Sequence, residues 1–204
     1  MPVLVLGTNN RKKRIELEQL LAPHGFELKT LGDFPNSIKV EETGETFREN
    51  AHLKAAEQAV NLGCWVLGED SGLSVEALGG APGVYSARYA GTDGDDEANN
   101  AKLLAELGDA PPEHRGAYYS CYAALADPKG AIRAEADGRC YGRIRKFAAG
   151  EAGFGYDPLF EVVEYHRTFG ELGEAVKRAL SHRARAMRLL IPQLLELVRR
   201  GEWR

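Results

Sequence analysis

Apolar positions along the chain fall into short continuous runs that alternate with stripes at helical spacing, a pattern that points to mixed α/β structure. Val3-Leu4-Val5-Leu6 is an apolar run that stops at Gly7-Thr8-Asn9-Asn10, which predicts a buried strand entering a turn. From about Lys13 the positions Ile15, Leu17, Leu20 and Leu21 keep helical spacing until Pro23 and Gly25, so a helix follows the turn. Thr46-Phe47-Arg48-Glu49 has the form of a capping box, and the helix it opens can run to Gly63, whose freedom at positive φ suits a C-terminal stop. Cys64 to Leu67 is expected as a second buried strand, with Gly68-Glu69-Asp70-Ser71-Gly72 as a polar loop at its C-terminal edge. Open α/β sheets place ligands at such edges.

Asp95 to Leu107 predicts a short amphipathic helix closed by Gly108. Tyr118 to Ala126 and Ala131 to Arg139 predict two strands joined by the turn Asp127-Pro128-Lys129-Gly130, an antiparallel hairpin lobe. In the last segment Met187, Leu190, Ile191, Leu194, Leu197 and Val198 form a helical stripe, which Pro192 is expected to kink or split. No repeat, low-complexity tract or long linker interrupts the pattern.

Composition narrows the class. The 204 residues, 44% of them hydrophobic, are enough for one large domain or for two lobes. A net charge of -4 argues against bulk adhesion to nucleic acid or to an anionic membrane, so any phosphate ligand must be met by a local basic cluster. Cys64, Cys121 and Cys140 are odd in number and lack metal-ligand spacing, which favours buried thiols in a reducing compartment. No apolar run approaches the roughly 20 residues that span a bilayer, and no signal peptide is apparent, so a cytoplasmic protein without a membrane partner is expected.

Five segments and one further lysine carry candidate chemistry. Thr8 to Lys13 lies between a strand and a helix, where backbone N–H groups, a hydroxyl, an amide and cationic side chains can converge on an anion. An ordinary N-capping turn with a solvated basic run is the competing reading. No Walker motif or GxGxxG is present. The pairs Glu41-Glu42 and Glu69-Asp70 flank the second helix and offer the hard oxygen ligands that Mg²⁺ requires, unless they are merely surface charge. Lys54 follows Asn50 by one helical turn and can face the same place. Gly153-Phe154-Gly155-Tyr156-Asp157-Pro158 is either a tight loop presenting a base-stacking ring or a plain turn with a core Phe. Ser181-His182-Arg183 is expected to open the final helix, with Ser181 as its cap.

Taken in order, these segments, with Glu41 to Ala51 and Gly80 to Tyr89, resemble the inosine triphosphate pyrophosphatase family, the non-canonical purine NTP pyrophosphatases. The resemblance covers nearly the whole chain. It implies a mixed, elongated α/β sheet with flanking helices, a single pyrophosphatase domain over 1–204 with two lobes around a substrate cleft, and a homodimer. It implies Mg²⁺-dependent hydrolysis of ITP, dITP and XTP to the monophosphate and pyrophosphate. By the same resemblance Thr8, Asn10, Lys13 and Lys54 would bind the triphosphate, Glu42 and Asp70 the metal, and Asp70 would be the general base. Ser71 would touch substrate, and Phe154, Gly155, Tyr156, Asp157, Lys177, His182 and Arg183 would surround the purine. Arg167 to Leu172 matches the family's lid only loosely. The alternatives are a nucleotide sensor without turnover and a pyrophosphatase for modified pyrimidine nucleotides.

Overall fold

The structure, a computed structural model, describes residues 1–203. Seven strands form one mixed sheet, flanked by helices. The strands are β1 (Val3–Leu6), β2 (Glu27–Thr30), β3 (Val66–Val75), β4 (Gly116–Ala126), β5 (Ile132–Ile144), β6 (Phe160–Val162) and β7 (Arg167–Thr168), in the order β2-β1-β3-β4-β5-β6-β7. β1 pairs in parallel with both β2 and β3, whereas β6 pairs antiparallel with β5 and with β7. The helices are α1 (Arg11–Leu21), α2 (Phe47–Leu62), α3 (Asp96–Leu107), α4 (Phe169–Leu180) and α5 (His182–Arg199). Among the described residues, no helix is long and apolar enough to cross a membrane.

The chain divides into two compact units. The first contains Met1–Asp70, Cys121–Gly138 and Arg183–Arg204, and the second Ser71–Ser120 and Arg139–His182. In the first unit the buried leucines of β1 (Leu4, Leu6), of α1 (Leu17, Leu21) and of α5 (Leu190, Leu194) share one core, which Trp203 closes by stacking on Phe26 and Trp65. In the second unit Leu73, Leu103, Tyr119, Phe160 and Phe169 belong to another core.

Local sequence explains most boundaries. Thr46 accepts from the Glu49 N–H while the Glu49 carboxylate accepts from the Thr46 N–H, the capping box predicted for α2, and Gly63 ends the helix at φ 62°. Asp95 caps α3 through the Ala98 N–H. The turn after β4 closes with the Gly130 N–H on the Asp127 carbonyl, and the Asp127 carboxylate accepts from the N–H groups of Lys129 and Ala131.

One expectation is corrected and another is narrowed. Gly68 to Gly72 is no loop but the middle of β3, a ten-residue strand in which only Ser71 is not buried. Two carboxylates can occupy a buried strand because cations from other elements neutralise them, and alternation along the sequence does not show those partners. Pro192 does not split the last helix, since α5 runs from His182 to Arg199 through it. Core packing by Met187, Leu190 and Ile191 before the proline and by Leu194 and Leu197 after it offsets the lost backbone bond. The final helix opens at His182 as expected, directly after Ser181, which is also the C-cap of α4 with its N–H bonded to the Lys177 carbonyl.

Candidate functional site

In the first unit, three elements deliver charged side chains to Glu69 and Asp70. At the end of β1, Gly7 donates its N–H to the Leu67 carbonyl and leaves no room for a side chain, because a Cβ there would lie 2.9 Å from Val66 Cγ1. The turn that follows is the expected cap: Asn10 Oδ1 accepts from the N–H groups of Lys12 and Lys13, and Thr8 Oγ1 accepts from the Asn10 N–H. Lys13 thereby lies in the first turn of α1, with its ammonium 3.3 Å from Glu69 Oε2.

A second close approach brings α2 to the same strand. A Cβ on Gly68 would stand 2.3 Å from the Ala51 carbonyl oxygen, so only glycine lets β3 and α2 touch here. One helical face then reaches Asp70. Asn50 Nδ2 donates to Asp70 Oδ2 at 3.3 Å and Lys54 Nζ to Asp70 Oδ1 at 2.8 Å. Lys54 Nζ also lies 3.4 Å from Glu42 Oε1, so an ammonium already sits between the two carboxylates proposed as metal ligands.

Burial raises the pKa of Asp70 despite the opposing pull of Lys54 and Lys13. For Lys13 burial acts downward, but Glu69 and Asp70 outweigh it and leave the ammonium's pKa raised. Among the described residues, no group of three or more His, Cys, Asp or Glu side chains is arranged to hold a metal. Magnesium bound mainly through waters and substrate phosphates needs only one or two carboxylates, and Glu42 with Asp70 supplies that donor set around a position a cation already takes.

Arg183 belongs to the first unit and is 1% exposed. Its guanidinium donates to Glu16 Oε2 and, at 3.0 Å, to Glu69 Oε1. Burial alone would lower its pKa, but Glu69 and Glu16 raise it, which makes Arg183 a permanent cation.

The second unit gathers the other predicted residues around one carboxylate. Asp157 Oδ2 accepts from the Phe154 N–H at 2.7 Å and from the Lys177 ammonium, and its Oδ1 accepts from the Tyr119 hydroxyl at 3.4 Å. Lys177 Nζ also stands 4.1 Å from the centre of the Phe154 ring, a cation–π contact. Gly153 has φ 80°, and a Cβ there would fall 2.1 Å from Asp157 Oδ2, so this turn requires glycine. The Gly155 N–H donates to Asp96 and its carbonyl accepts from Asn100, while the Tyr156 hydroxyl donates to the Ser86 carbonyl. The His182 ring stacks on Tyr119 at 4.7 Å and 14°.

The predicted residues therefore form two groups, each within one unit: Lys13, Glu42, Lys54, Asp70 and Arg183 in the first, and Phe154, Gly155, Tyr156, Asp157, Lys177 and His182 in the second. Ser71 follows Asp70 on β3. Sequence reasoning assigned no role to Asn50 beyond marking a helix face, and none to Tyr119, Asp96 or Asn100. The one-turn spacing of Asn50 and Lys54 was the available signal for the first. Nothing in the pattern distinguishes the other three from ordinary polar or core positions.

Arg167 to Leu172 forms β7 and the first turn of α4, closed by a second capping box between Thr168 and Glu171.

The Ham1 family profile matches residues 4–193. The chain belongs to the Ham1 family. It is 61% identical over 195 residues to a dITP/XTP pyrophosphatase of Rhodopirellula baltica, an alignment that covers 96% of this chain and 94% of that protein. It is 51% identical to the protein of that name from Desulforamulus reducens, covering 91% and 92%. Among solved structures it resembles a HAM1 protein from Coxiella burnetii, with TM-score 0.87, 37% identity and 96% and 100% of the two chains covered. It also resembles a nucleoside-triphosphatase, dITP/XTP pyrophosphatase, from Mycobacterium abscessus, with TM-score 0.76, 43% identity and 94% and 99% covered.

Proposed function

We propose that this Ham1 family member is a Mg²⁺-dependent pyrophosphatase that hydrolyses dITP, ITP and XTP to the monophosphate and pyrophosphate and so clears them from the nucleotide pool. The observation that carries the reading is the buried Asp70 carboxylate, held by Asn50 and Lys54 beside Glu42, with Lys13 one strand residue away on Glu69. The names of the relatives supply the substrate class.

In this reading the first unit takes the phosphates. Lys13, Lys54 and the donors of Thr8 and Asn10 neutralise and position the triphosphate, since phosphoryl transfer depends mainly on placement and charge. Glu42 and Asp70 would hold Mg²⁺, which supplies charge neutralisation and acidifies bound water. Asp70 orients the attacking water and accepts its proton. Its raised pKa brings it closer to neutrality, as a general base requires. Water attacks the α-phosphorus, the bond to the bridging oxygen breaks, and pyrophosphate leaves.

The second unit takes the purine. Phe154 offers a ring for stacking, and Tyr156, Asp157 and Lys177 fix the loop that presents it. His182 and Arg183 are assigned to the 6-oxo group. Adenine carries a donor there and would leave theirs unmatched. For Arg183 the assignment requires exchange of a carboxylate partner for the base oxygen. A homodimer, a substrate cleft between lobes and a cytoplasmic setting belong to the same reading. The first two rest on the family resemblance and the last on three cysteines that form no disulfide, Cys64, Cys121 and Cys140.

The test is incubation with dITP, ITP, XTP, ATP and dTTP, with Mg²⁺ or with EDTA, and chromatographic separation of pyrophosphate from orthophosphate. The reading expects Mg²⁺-dependent release of pyrophosphate from the first three. Orthophosphate as first product, equal turnover of ATP, or faster turnover of dTTP would each defeat it.

A further inference from the structure

Glu69 is fully buried, has no role in the mechanism above, and stands between two of the cations that mechanism uses. Its Oε2 lies 3.3 Å from Lys13 Nζ, and its Oε1 accepts from Arg183 at 3.0 Å and from the Cys121 thiol at 3.3 Å. The Glu69 side chain is 0% exposed and that of Lys13 is 16% exposed, so the ammonium reaches solvent while its counter-ion does not. Arg183 has a second carboxylate in Glu16, whereas Asp70, the other carboxylate acting on Lys13, is itself bonded by Lys54 and Asn50. Burial and proximity make Glu69 a strong competitor for the Lys13 ammonium.

We infer that Glu69 is a positioning residue of the triphosphate site, an internal counter-ion that holds Lys13 in place and that an incoming phosphate must displace. The inference rests on Lys13 binding phosphate, as proposed above. Two consequences follow. Part of the attraction between Lys13 and phosphate is spent against Glu69, which weakens ground-state binding. In return the ammonium is kept at a fixed place before substrate arrives, which favours the transition state.

Removing the charge at constant size separates these effects. With metal-free inorganic tripolyphosphate as probe, in EDTA and followed by titration calorimetry, Glu69→Gln is expected to bind on the order of tenfold tighter than wild type, within the usual range of site-to-site coupling. Glu69→Asp draws the carboxylate back from Lys13 and is expected to fall between the two. In a Lys13→Met background the gain from Glu69→Gln should shrink or vanish, because the phosphate-binding ammonium that Glu69 competes for is gone.

With dITP and Mg²⁺, Glu69→Gln should lower both KM and kcat, a split that damage to folding would not produce. Unchanged tripolyphosphate affinity in Glu69→Gln, or an equal gain with and without Lys13, overturns the inference while leaving the functional reading intact. Wild-type protein that binds no metal-free tripolyphosphate also overturns the inference, whereas the functional reading stands or falls on Mg²⁺-dependent release of pyrophosphate. If Glu69→Gln does not fold, Glu69→Asp decides: affinity at or below that of wild type refutes the proposal.

Discussion

Arg183→Ala should destabilise the fold far more than a surface substitution would. The guanidinium is 1% exposed and paired at both ends, with Glu69 fully buried and Glu16 partly exposed. Removing one partner of a buried pair costs about 3–5 kcal/mol, because the remaining charge stays desolvated. Two features put this case near the lower limit. Glu69 keeps Lys13, and Glu16, 22% exposed, can turn to water. For a chain of this size, where each kcal/mol shifts Tm by about 2–4 °C, a loss of about 3 kcal/mol lowers Tm by about 6–12 °C. Calorimetric melting in EDTA without nucleotide is the assay, since bound ligand would add its own stabilisation. Arg183→Ala combined with Glu69→Gln should recover part of the loss, because the carboxylate left uncompensated is gone. A single variant melting within about 2 °C of wild type, or a double variant losing the full sum of both changes, would refute the account of a charge-compensated core.

Asp70→Asn should reduce turnover of dITP by at least about a hundredfold, the low end of general-base contributions, while Tm stays at or above that of wild type because burial already disfavours the charged form; a variant that keeps wild-type turnover removes Asp70 from the mechanism. His182→Ala should shrink the preference for ITP over ATP by about tenfold, the worth of one hydrogen bond to the base, as measured by kcat/KM for each. Lys13→Ala should lower both activities by a similar factor, since the phosphates are common to every nucleotide; a changed ratio would show that Lys13 senses the base. Asp127→Asn should destabilise the β4–β5 turn at pH 7. Two backbone N–H groups and Arg133 hold the Asp127 pKa below its ordinary 3.8, so its stabilisation is present above that value and is lost as pH falls through the folded-state pKa. Chemical denaturation at pH 7 and at pH 3 should show the gap between variant and wild type closing in acid.

Where a local rule governed, the sequence was sufficient. Thr46 with Glu49, Gly63, Gly108 and Asp127-Pro128-Lys129-Gly130 act within a few residues of themselves, and each became the predicted cap or turn. Where a distant partner governed, it was not. The acidic pair Glu69-Asp70 looked like loop because two charges in a buried strand are unfavourable without compensation, and the compensating Lys13, Lys54 and Arg183 lie 16 to 114 positions away. Pro192 left a kink and a split both open for the same reason, since the stabilisation that carries α5 past it comes from a core assembled elsewhere.

The same contrast separates the two groups of site residues. In the second unit the loop Gly153 to Asp157 is fixed mostly by its own chemistry: a glycine at positive φ, a carboxylate that accepts an N–H three residues back, and a lysine that closes the turn over an aromatic ring. Such a loop can stay rigid without ligand, which suits a surface that must discriminate between purines differing at one exocyclic group. In the first unit the charged side chains among the proposed phosphate and metal contacts are held by opposite charge: Lys54 by Asp70 and Glu42, and Lys13 by Glu69. Charges so arranged are exchangeable, because a triphosphate carries the same sign as the carboxylates it replaces and Mg²⁺ the same sign as the ammonium between Glu42 and Asp70. On the proposed reading the internal ion pairs therefore stand in for substrate and metal until both arrive.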